Sequence, residues 1–227
     1  MKGRNLTTAG TILALLLIFS PPCRAMDPDA VPLLEKVQKL YAGAVGFRAH
    51  YTLTFKGGSV AGTGQETKTT KGVMLYGSPD RLRLIQEEPM EEEMVIAPSG
   101  IWWYVREDNE AHRYPASEFY ELFSPIMSFF QVIGDFKSLD KAFKVTRHVG
   151  DDKGKEKAIK LVPLSHQTGL DWLVIWMDGR GSITRVAIHV LNGDSNTYQF
   201  DSMEVLKEDP AEGFGFTPPA GAKIVHH

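Results

Sequence analysis

The chain contains few residues at the spacings that catalysis or metal binding requires. Its seven histidines include one adjacent pair, His226 and His227, and no pair has the spacing of a helical metal site. The single cysteine, Cys23, argues against a cysteine zinc site and a disulfide framework. The sequence has no Gly-x-Ser-x-Gly elbow, and Gly62-Thr63-Gly64 is only a fragment of a phosphate-binding loop. We therefore expect a protein that is not an enzyme and uses no cofactor or metal.

One acidic run is the densest cluster of charged side chains. Residues 87–93 read Glu-Glu-Pro-Met-Glu-Glu-Glu and place five carboxylates within seven positions. Carboxylates at such density can bind Ca²⁺. Pro89 and the lack of a regular ligand spacing favour a solvated turn instead.

The composition is that of an ordinary globular domain. Of 227 residues, 43% are hydrophobic and 23% are charged, and the 12 Phe, 7 Tyr and 4 Trp are enough for one large core. The formal net charge of -3 argues against a protein that binds nucleic acid, because such proteins carry a basic surface.

The first 25 residues have the features of a secretory signal peptide. Lys2 and Arg4 precede the apolar residues 12–19, and Ala25 supplies a small residue at the cleavage position. The apolar run is shorter than the roughly 20 residues that a spanning helix needs. An alternative is a lipoprotein that begins at Cys23, although Ser-Pro-Pro before it does not resemble a lipobox. We expect cleavage after Ala25 and a periplasmic product.

The remaining chain, residues 26–227, is predicted to be a single domain composed mainly of strands. Residues 30–41 carry apolar side chains at helical spacing, and Gly43 ends the helix. From Phe47 to residue 56 the period is two, which predicts a strand. Ten further strands are predicted over residues 65–76, 81–87, 93–97, 101–105, 111–115, 143–149, 155–162, 170–177, 183–190 and 197–206.

Short turns join most of these strands, so neighbouring strands should be antiparallel. A sheet of about eleven strands must curl or close. Residues 117–141 interrupt the pattern with helical segments that are apolar on most sides, which predicts burial. These segments either form a lid over the concave face of the sheet or simply fill the core.

Two strands are apolar on both faces. Residues 172–177 read Trp-Leu-Val-Ile-Trp-Met, and residues 101–105 read Ile-Trp-Trp-Tyr-Val. One face of each strand can pack beneath the helices. The other face belongs either to tightly packed core or to a cavity for an apolar ligand such as an acyl chain.

Several segments together resemble the LolA family of periplasmic lipoprotein carriers. Residues 47–54 resemble its first long strand, and Tyr-Gly-Ser-Pro-Asp-Arg-Leu-Arg at residues 76–83 resembles its Pro and Arg-x-Arg pattern. Residues 99–104 resemble its Asp-Gly-x-x-Leu-Trp-x-Tyr stretch. Residues 214–221, Phe-Gly-Phe-Thr-Pro-Pro-Ala-Gly, closely resemble its terminal Phe-x-Phe-x-Pro-Pro-x-Gly. The order and spacing of these segments carry the resemblance.

The resemblance implies an unclosed antiparallel half-barrel of about eleven strands with α-helices over an apolar cavity. It also implies a monomer that accepts acylated lipoproteins from an ATP-driven inner-membrane releasing complex. Cargo would pass to an outer-membrane receptor lipoprotein or to the outer membrane itself. The alternative is a LolA-like sensor or regulator that detects lipid or lipoprotein. The residues expected to line the cavity are Leu53, Phe55, Leu84, Met94, Ile96, Trp103, Ile126, Phe130, Ile133, Trp172 and Trp176.

The expected lid has two parts, and one position departs from the family. Many members have an Arg directly before the proline of the turn, and the resemblance links that Arg to release of cargo. This chain has Ser78 there, and neither Arg81 nor Arg83 can be assumed to replace it. The expected lid residues are Val31, Leu34, Val37, Leu40, Ile126, Met127, Phe129 and Phe130.

The processing site gives a first prediction. The basic start, the apolar run and Ala25 predict a mature protein that begins at Met26 and carries no lipid. The measurement is the intact mass of the exported protein. A diacylglyceryl mass on a chain that begins at Cys23 would contradict it.

Overall fold

The computed structural model describes residues 26–58, 66–118, 139–150, 156–165 and 169–227. Helix α1 spans Val31–Tyr41, a short α2 spans Leu139–Ala142, and 3₁₀ turns cover Ala116–Glu118 and Ala211–Phe214. The strands are β1 (Gly46–Lys56), β2 (Thr67–Gly77), β3 (Arg81–Glu88), β4 (Glu92–Ala97), β5 (Gly100–Val105), β6 (Glu110–Tyr114), β7 (Phe143–His148), β8 (Lys157–Pro163), β9 (Leu170–Met177), β10 (Ile183–Val190), β11 (Ser195–Leu206) and β12 (Lys223–His226).

These strands form one unclosed sheet with the order β12-β6-β5-β4-β3-β2-β1-β11-β10-β9-β8-β7. All neighbouring pairs are antiparallel except β12 and β6, which are parallel. The predicted mainly-β architecture is therefore confirmed. The expected count of about eleven strands omitted the four-residue β12, which the C-terminal segment adds at the edge beside β6.

The alternation in β1 separates two faces of the sheet. Phe47, Ala49 and Tyr51 are buried on the face that packs against α1, which we call the inner face. Arg48 and His50 are exposed on the opposite, outer face. Cross-strand partners in an antiparallel sheet share a face, so the register of β1 assigns the faces of the neighbouring strands.

Helix α1 is held on the inner face by its apolar side and by its last residue. It begins after Ala30, which makes no side-chain capping bond, and has Pro32 in its first turn. The Tyr41 hydroxyl donates to Met203 Sδ at 3.0 Å and accepts a hydrogen bond from the Ile183 amide at 3.2 Å. These bonds fix the C-terminal end of α1 over β10 and β11. Within the described segments, no helix is long and apolar enough to cross a membrane.

The C-terminal segment covers part of the outer face. Phe214 is buried against Leu75 and Val95 of β2 and β4. The Phe216 ring lies 5.5 Å from the Trp102 ring and packs in the same cluster. The Phe-x-Phe motif thus supplies an apolar cover for β2, β4 and β5 before the chain reaches β12.

This packing gives a stability prediction. Phe214→Ala should lower the free energy of unfolding by about 3 kcal/mol, because it removes a buried ring from the outer-face cluster. Ile224→Ala is the control, since Ile224 is 48% exposed and should cost much less. Urea unfolding followed by circular dichroism measures both variants. Equal losses would mean that Phe214 does not hold the C-terminal segment in place.

Candidate functional site

A cavity of about 100 Å³ opens on the inner face of β1 to β5, beside β11. It brings together four of the predicted cavity residues, one from each of four strands. The lining residues are Tyr51, Leu53, Thr70, Leu84, Gln86, Glu92, Met94, Trp103 and Tyr198.

The sheet register explains why these apolar residues converge. Met94 of β4 lies opposite Leu84 of β3 on one side and opposite Trp103 of β5 on the other. Such antiparallel partners have Cβ atoms about 5 Å apart, so their side chains form a continuous apolar strip. Leu53 of β1 lies opposite Tyr198 of β11 and closes the other end of the cavity.

Polar atoms around the strip are paired or neutral. The Trp103 indole Nε1 donates to Glu92 Oε2 at 3.0 Å. The rings of Tyr51 and Tyr198 meet edge to face at 5.8 Å. Burial, with the nearby charges of Glu87 and Glu92, raises the pKa of Tyr51 to about 12. Burial also raises the pKa of Tyr198. Both phenols are therefore neutral at physiological pH, which suits an apolar ligand.

Tyr51, Tyr198 and Glu92 were not among the predicted site residues. The sequence contained a signal for Tyr51, because it lies two residues before Leu53 and therefore on the same face of β1. Tyr198 required the pairing of β1 with β11, which are far apart in sequence. Glu92 was counted with the acidic run, and only the β4 register turns it toward the cavity.

Two further predicted residues lie on the inner face without lining this cavity. Ile96 is buried in the main core cluster, opposite Leu82 and Ile101. Phe55 is half-buried near the far end of β1, where its partners are Asn196 and Lys68. These two side chains do not line the cavity, although Leu84 and Met94 pack against the core cluster that contains Ile96.

Trp172 and Trp176 lie on the other face of the sheet. On β9 the inner-face side chains include Leu173 and Ile175, which belong to the main core. The two tryptophans alternate with them and pack in a separate cluster that includes Val174. The structure therefore does not bring these tryptophans together with the predicted cavity residues.

The predicted lid residues of α1 divide by burial. Leu34 and Val37 are buried in the core and Val31 is half-buried, whereas Leu40 is 39% exposed. Leu33, which was not among the expected lid residues, is also buried. The remaining predicted lid and cavity residues, which lie outside the described residues, are Ile126, Met127, Phe129, Phe130 and Ile133.

Ser78 lies in the turn between β2 and β3, next to the connection from α1 to β1. Its amide donates to the carbonyl of Val45 at 2.9 Å. The preceding Tyr76 hydroxyl donates to the carbonyl of Pro79 at 3.3 Å. A long cationic side chain at position 78 would therefore start close to the C-terminal end of α1.

The two nearby arginines are bound to the C-terminal segment. Arg81 donates to the Ser78 carbonyl at 3.3 Å and to Asp209 at 2.7 Å. Arg83 donates to the Gly213 carbonyl at 3.0 Å. Their strand positions place both on the outer face. In these contacts, both guanidinium groups bind the turn before β3 or the C-terminal segment and not α1.

The acidic run forms the turn between β3 and β4. Glu88 pairs with Lys71 at 2.8 Å, and Glu91 pairs with Arg106 at 2.6 Å. Glu93 pairs with Arg83. These carboxylates face cations on different neighbouring elements, and Glu92 of the same run is bonded to Trp103.

Comparison with known proteins identifies the family. The model of the LolA family, "Outer membrane lipoprotein carrier protein LolA", matches residues 49–217. An outer-membrane lipoprotein carrier protein of Albidiferax ferrireducens is 23% identical over 78% of this chain and 83% of its own. An outer-membrane lipoprotein carrier protein of Methylibium petroleiphilum is 24% identical over 89% of this chain and 94% of its own. A LolA superfamily structure from Nitrosomonas europaea covers 82% of this chain and 97% of its own, with a TM-score of 0.40 and 9% identity. The chain belongs to the LolA family of outer membrane lipoprotein carrier proteins.

Proposed function

We propose that this protein is a periplasmic carrier that binds the acyl chains of lipoproteins in the inner-face cavity. The observation that carries the proposal is the continuous strip of Leu84, Met94 and Trp103, which opens into a cavity on the inner face of the sheet. The neutral rings of Tyr51 and Tyr198 extend this apolar wall. Family membership supports lipoprotein as the source of the chains.

The cavity must enlarge to hold such a ligand. Its volume is about 100 Å³, whereas pockets for small molecules are typically 300–1,000 Å³. A buried 16-carbon chain gains roughly 12 kcal/mol, at about 0.8 kcal/mol for each CH₂. Two or three chains would exceed the practical affinity limit of about 18 to 21 kcal/mol, and cargo would not leave. Packing lost when the cavity opens would offset that gain.

Helix α1 is the described element that can supply this offset. Its buried side chains, including Leu34 and Val37, pack on the same inner face that carries the cavity. Moving α1 away from the core would expose these side chains, and the cost would weaken acyl binding to a reversible level. Loading would draw energy from an ATP-driven inner-membrane complex, and delivery would be to an outer-membrane receptor lipoprotein or to the outer membrane itself.

Adjacent residues of β3 provide a matched test of the cavity. Leu84→Glu should weaken binding of a fluorescent acylated peptide more than tenfold, because it places a carboxylate in the apolar strip near Glu92. Ile85→Glu is the control, since Ile85 faces the other side of the sheet and is 37% exposed. Circular dichroism checks folding. Equal affinities of the two folded variants for the acylated peptide would mean that the cavity does not bind the acyl chain.

The position of Ser78 predicts a change in cargo release. In Ser78→Arg, the guanidinium would lie near the C-terminal carbonyls of α1, and donation to them would favour the closed state. Affinity for an acylated peptide should fall by about 1 to 3 kcal/mol, and the off-rate should rise.

Ser78→Lys is the matched control, because it adds charge without the planar set of donors and should have a smaller effect. Stopped-flow displacement of the labelled peptide measures the off-rates. If Ser78→Arg releases peptide at the wild-type rate, closure of α1 does not depend on this position.

A further inference from the structure

The outer face carries a second concave site, distinct from the acyl-chain cavity. A groove of about 840 Å³ runs over β9, β10, β11 and the end of β1. The C-terminal segment packs on a different part of this face, against β2, β4 and β5. We call this site the outer groove, and its main side chains are Lys56, Trp172, Trp176, Arg185, His189 and Thr197.

The outer groove arises from the sizes of the side chains on β9 and its neighbours. Val174 and Ala187 are cross-strand partners on the floor between the two tryptophans. Trp172 and Trp176 are four residues apart on one strand, which separates them by about 13 Å. Small residues in the middle and large residues at both ends leave a recess in an otherwise regular sheet.

Each tryptophan positions a cation. Lys160 Nζ lies 4.2 Å from the centre of the Trp172 ring. Arg185 Cζ lies 3.9 Å from the centre of the Trp176 ring, and its Nη2 is 3.8 Å from the Glu156 carboxylate. Such cation–π contacts hold long side chains in place. Arg185 lines the outer groove, whereas Lys160 lies beside it on β8, against the Trp172 ring.

Two carboxylates lie beside the outer groove, Glu156 near Arg185 and Asp171 near His189. No carboxylate is among the described residues that line the outer groove, which include Lys56. His189 stacks on Trp172 at 3.4 Å, and burial together with the Lys160 charge lowers the pKa of its imidazole. His189 is therefore neutral at physiological pH and serves as a flat wall. Asp171, like Lys160, is not among the described residues that line the outer groove.

One buried donor in the outer groove also lacks an acceptor. Trp176 is 5% exposed, and its indole N–H has no hydrogen-bond partner among the described residues. Buried polar groups without partners are uncommon in native proteins.

We propose that the outer groove binds an extended acidic peptide segment of a partner protein. Residues i and i+4 of an extended chain lie about 13 Å apart on the same face, which matches the spacing of the two cation-bearing tryptophans. Carboxylates at these positions would meet Lys160 and Arg185. The hydroxyls of Ser195 and Thr197 line the groove and can bond the peptide backbone.

The same features disfavour a lipid bilayer as the occupant. The outer groove is recessed, whereas a bilayer surface is broad. Trp176 is buried beside Arg185, so its ring does not protrude for insertion among lipid headgroups. The inference does not depend on the proposed carrier function, because the outer groove and the acyl-chain cavity lie on opposite faces.

The test uses the full protein and three synthetic capped peptides. The probe is Gly-Asp-Thr-Ser-Thr-Asp-Gly, with aspartates at i and i+4. One control replaces both aspartates by asparagine, and the other moves the second aspartate to i+3, where it points to the opposite side of an extended chain. Isothermal titration calorimetry at low and high salt measures binding. We expect saturable binding of the i, i+4 peptide, weakened at least tenfold in either control peptide and reduced by salt.

Protein variants locate the binding to the outer groove. Lys160→Gln and Arg185→Gln should each weaken peptide binding about tenfold or more, whereas Lys68→Gln, an exposed site on β2, should not. Because Arg185 is partly buried, Lys160→Gln provides the decisive comparison if Arg185→Gln fails to fold. Acylated-peptide affinity of Lys160→Gln should stay at the wild-type value, which separates this site from the carrier function.

Three outcomes would overturn the proposal. The first is absence of saturable binding of the i, i+4 peptide at low salt. The second is equal binding of the i, i+3 peptide or an equal effect of Lys68→Gln. The third is binding of phosphatidylglycerol vesicles or inorganic phosphate that depends on Lys160 and exceeds binding of the peptide.

Discussion

The structure depends on the strict separation of two faces in one unclosed sheet. Every strand sends alternate side chains to opposite sides, so each face needs its own cover. Helix α1 covers part of the inner face, and the C-terminal segment around Phe214 covers part of the outer face. Among the described residues, each face keeps an open region beside its cover. The inner opening is the apolar cavity, and the outer opening is the groove with the tryptophan-bound cations.

The two openings differ in chemistry because different strands supply their main side chains, β3 to β5 for the inner cavity and β9 and β10 for the outer groove. In the inner cavity, Leu84, Met94 and Trp103 face one another, and Glu92, the carboxylate among the described lining residues, is bonded to Trp103. In the outer groove, tryptophans are combined with Arg185, and Lys160 lies beside the groove against Trp172. The first arrangement favours an acyl chain and the second an anion. The two proposals therefore assign an apolar ligand to one face of the sheet and an acidic one to the other.

The sequence predicted the architecture well because alternation and turn residues are local signals. The bounds of β9 and β10 were predicted without error, and β1 was recognised from the pattern that begins at Phe47. Strand β12 was missed because four residues after a proline-rich segment give little periodicity, and its pairing with β6 is nonlocal. The residues of the candidate site were harder to predict from the sequence. Trp172 and Trp176 could not be assigned to a face, since both sides of β9 are apolar, and Tyr198 required the β1–β11 pairing.

The unclosed edge also bears on how the inner cavity can open. A closed barrel fixes the spacing of all its strands, whereas this sheet ends at β7 and β12. Helix α1 is tied to the β10 and β11 side by Tyr41, and the apolar strip lies on β3, β4 and β5. Displacement of the helix would therefore disturb core packing beneath α1 without breaking the ladder that positions Leu84, Met94 and Trp103. In the proposed carrier, movement of α1 would leave the apolar strip in place, and the cost of loading would lie in the core packing beneath α1.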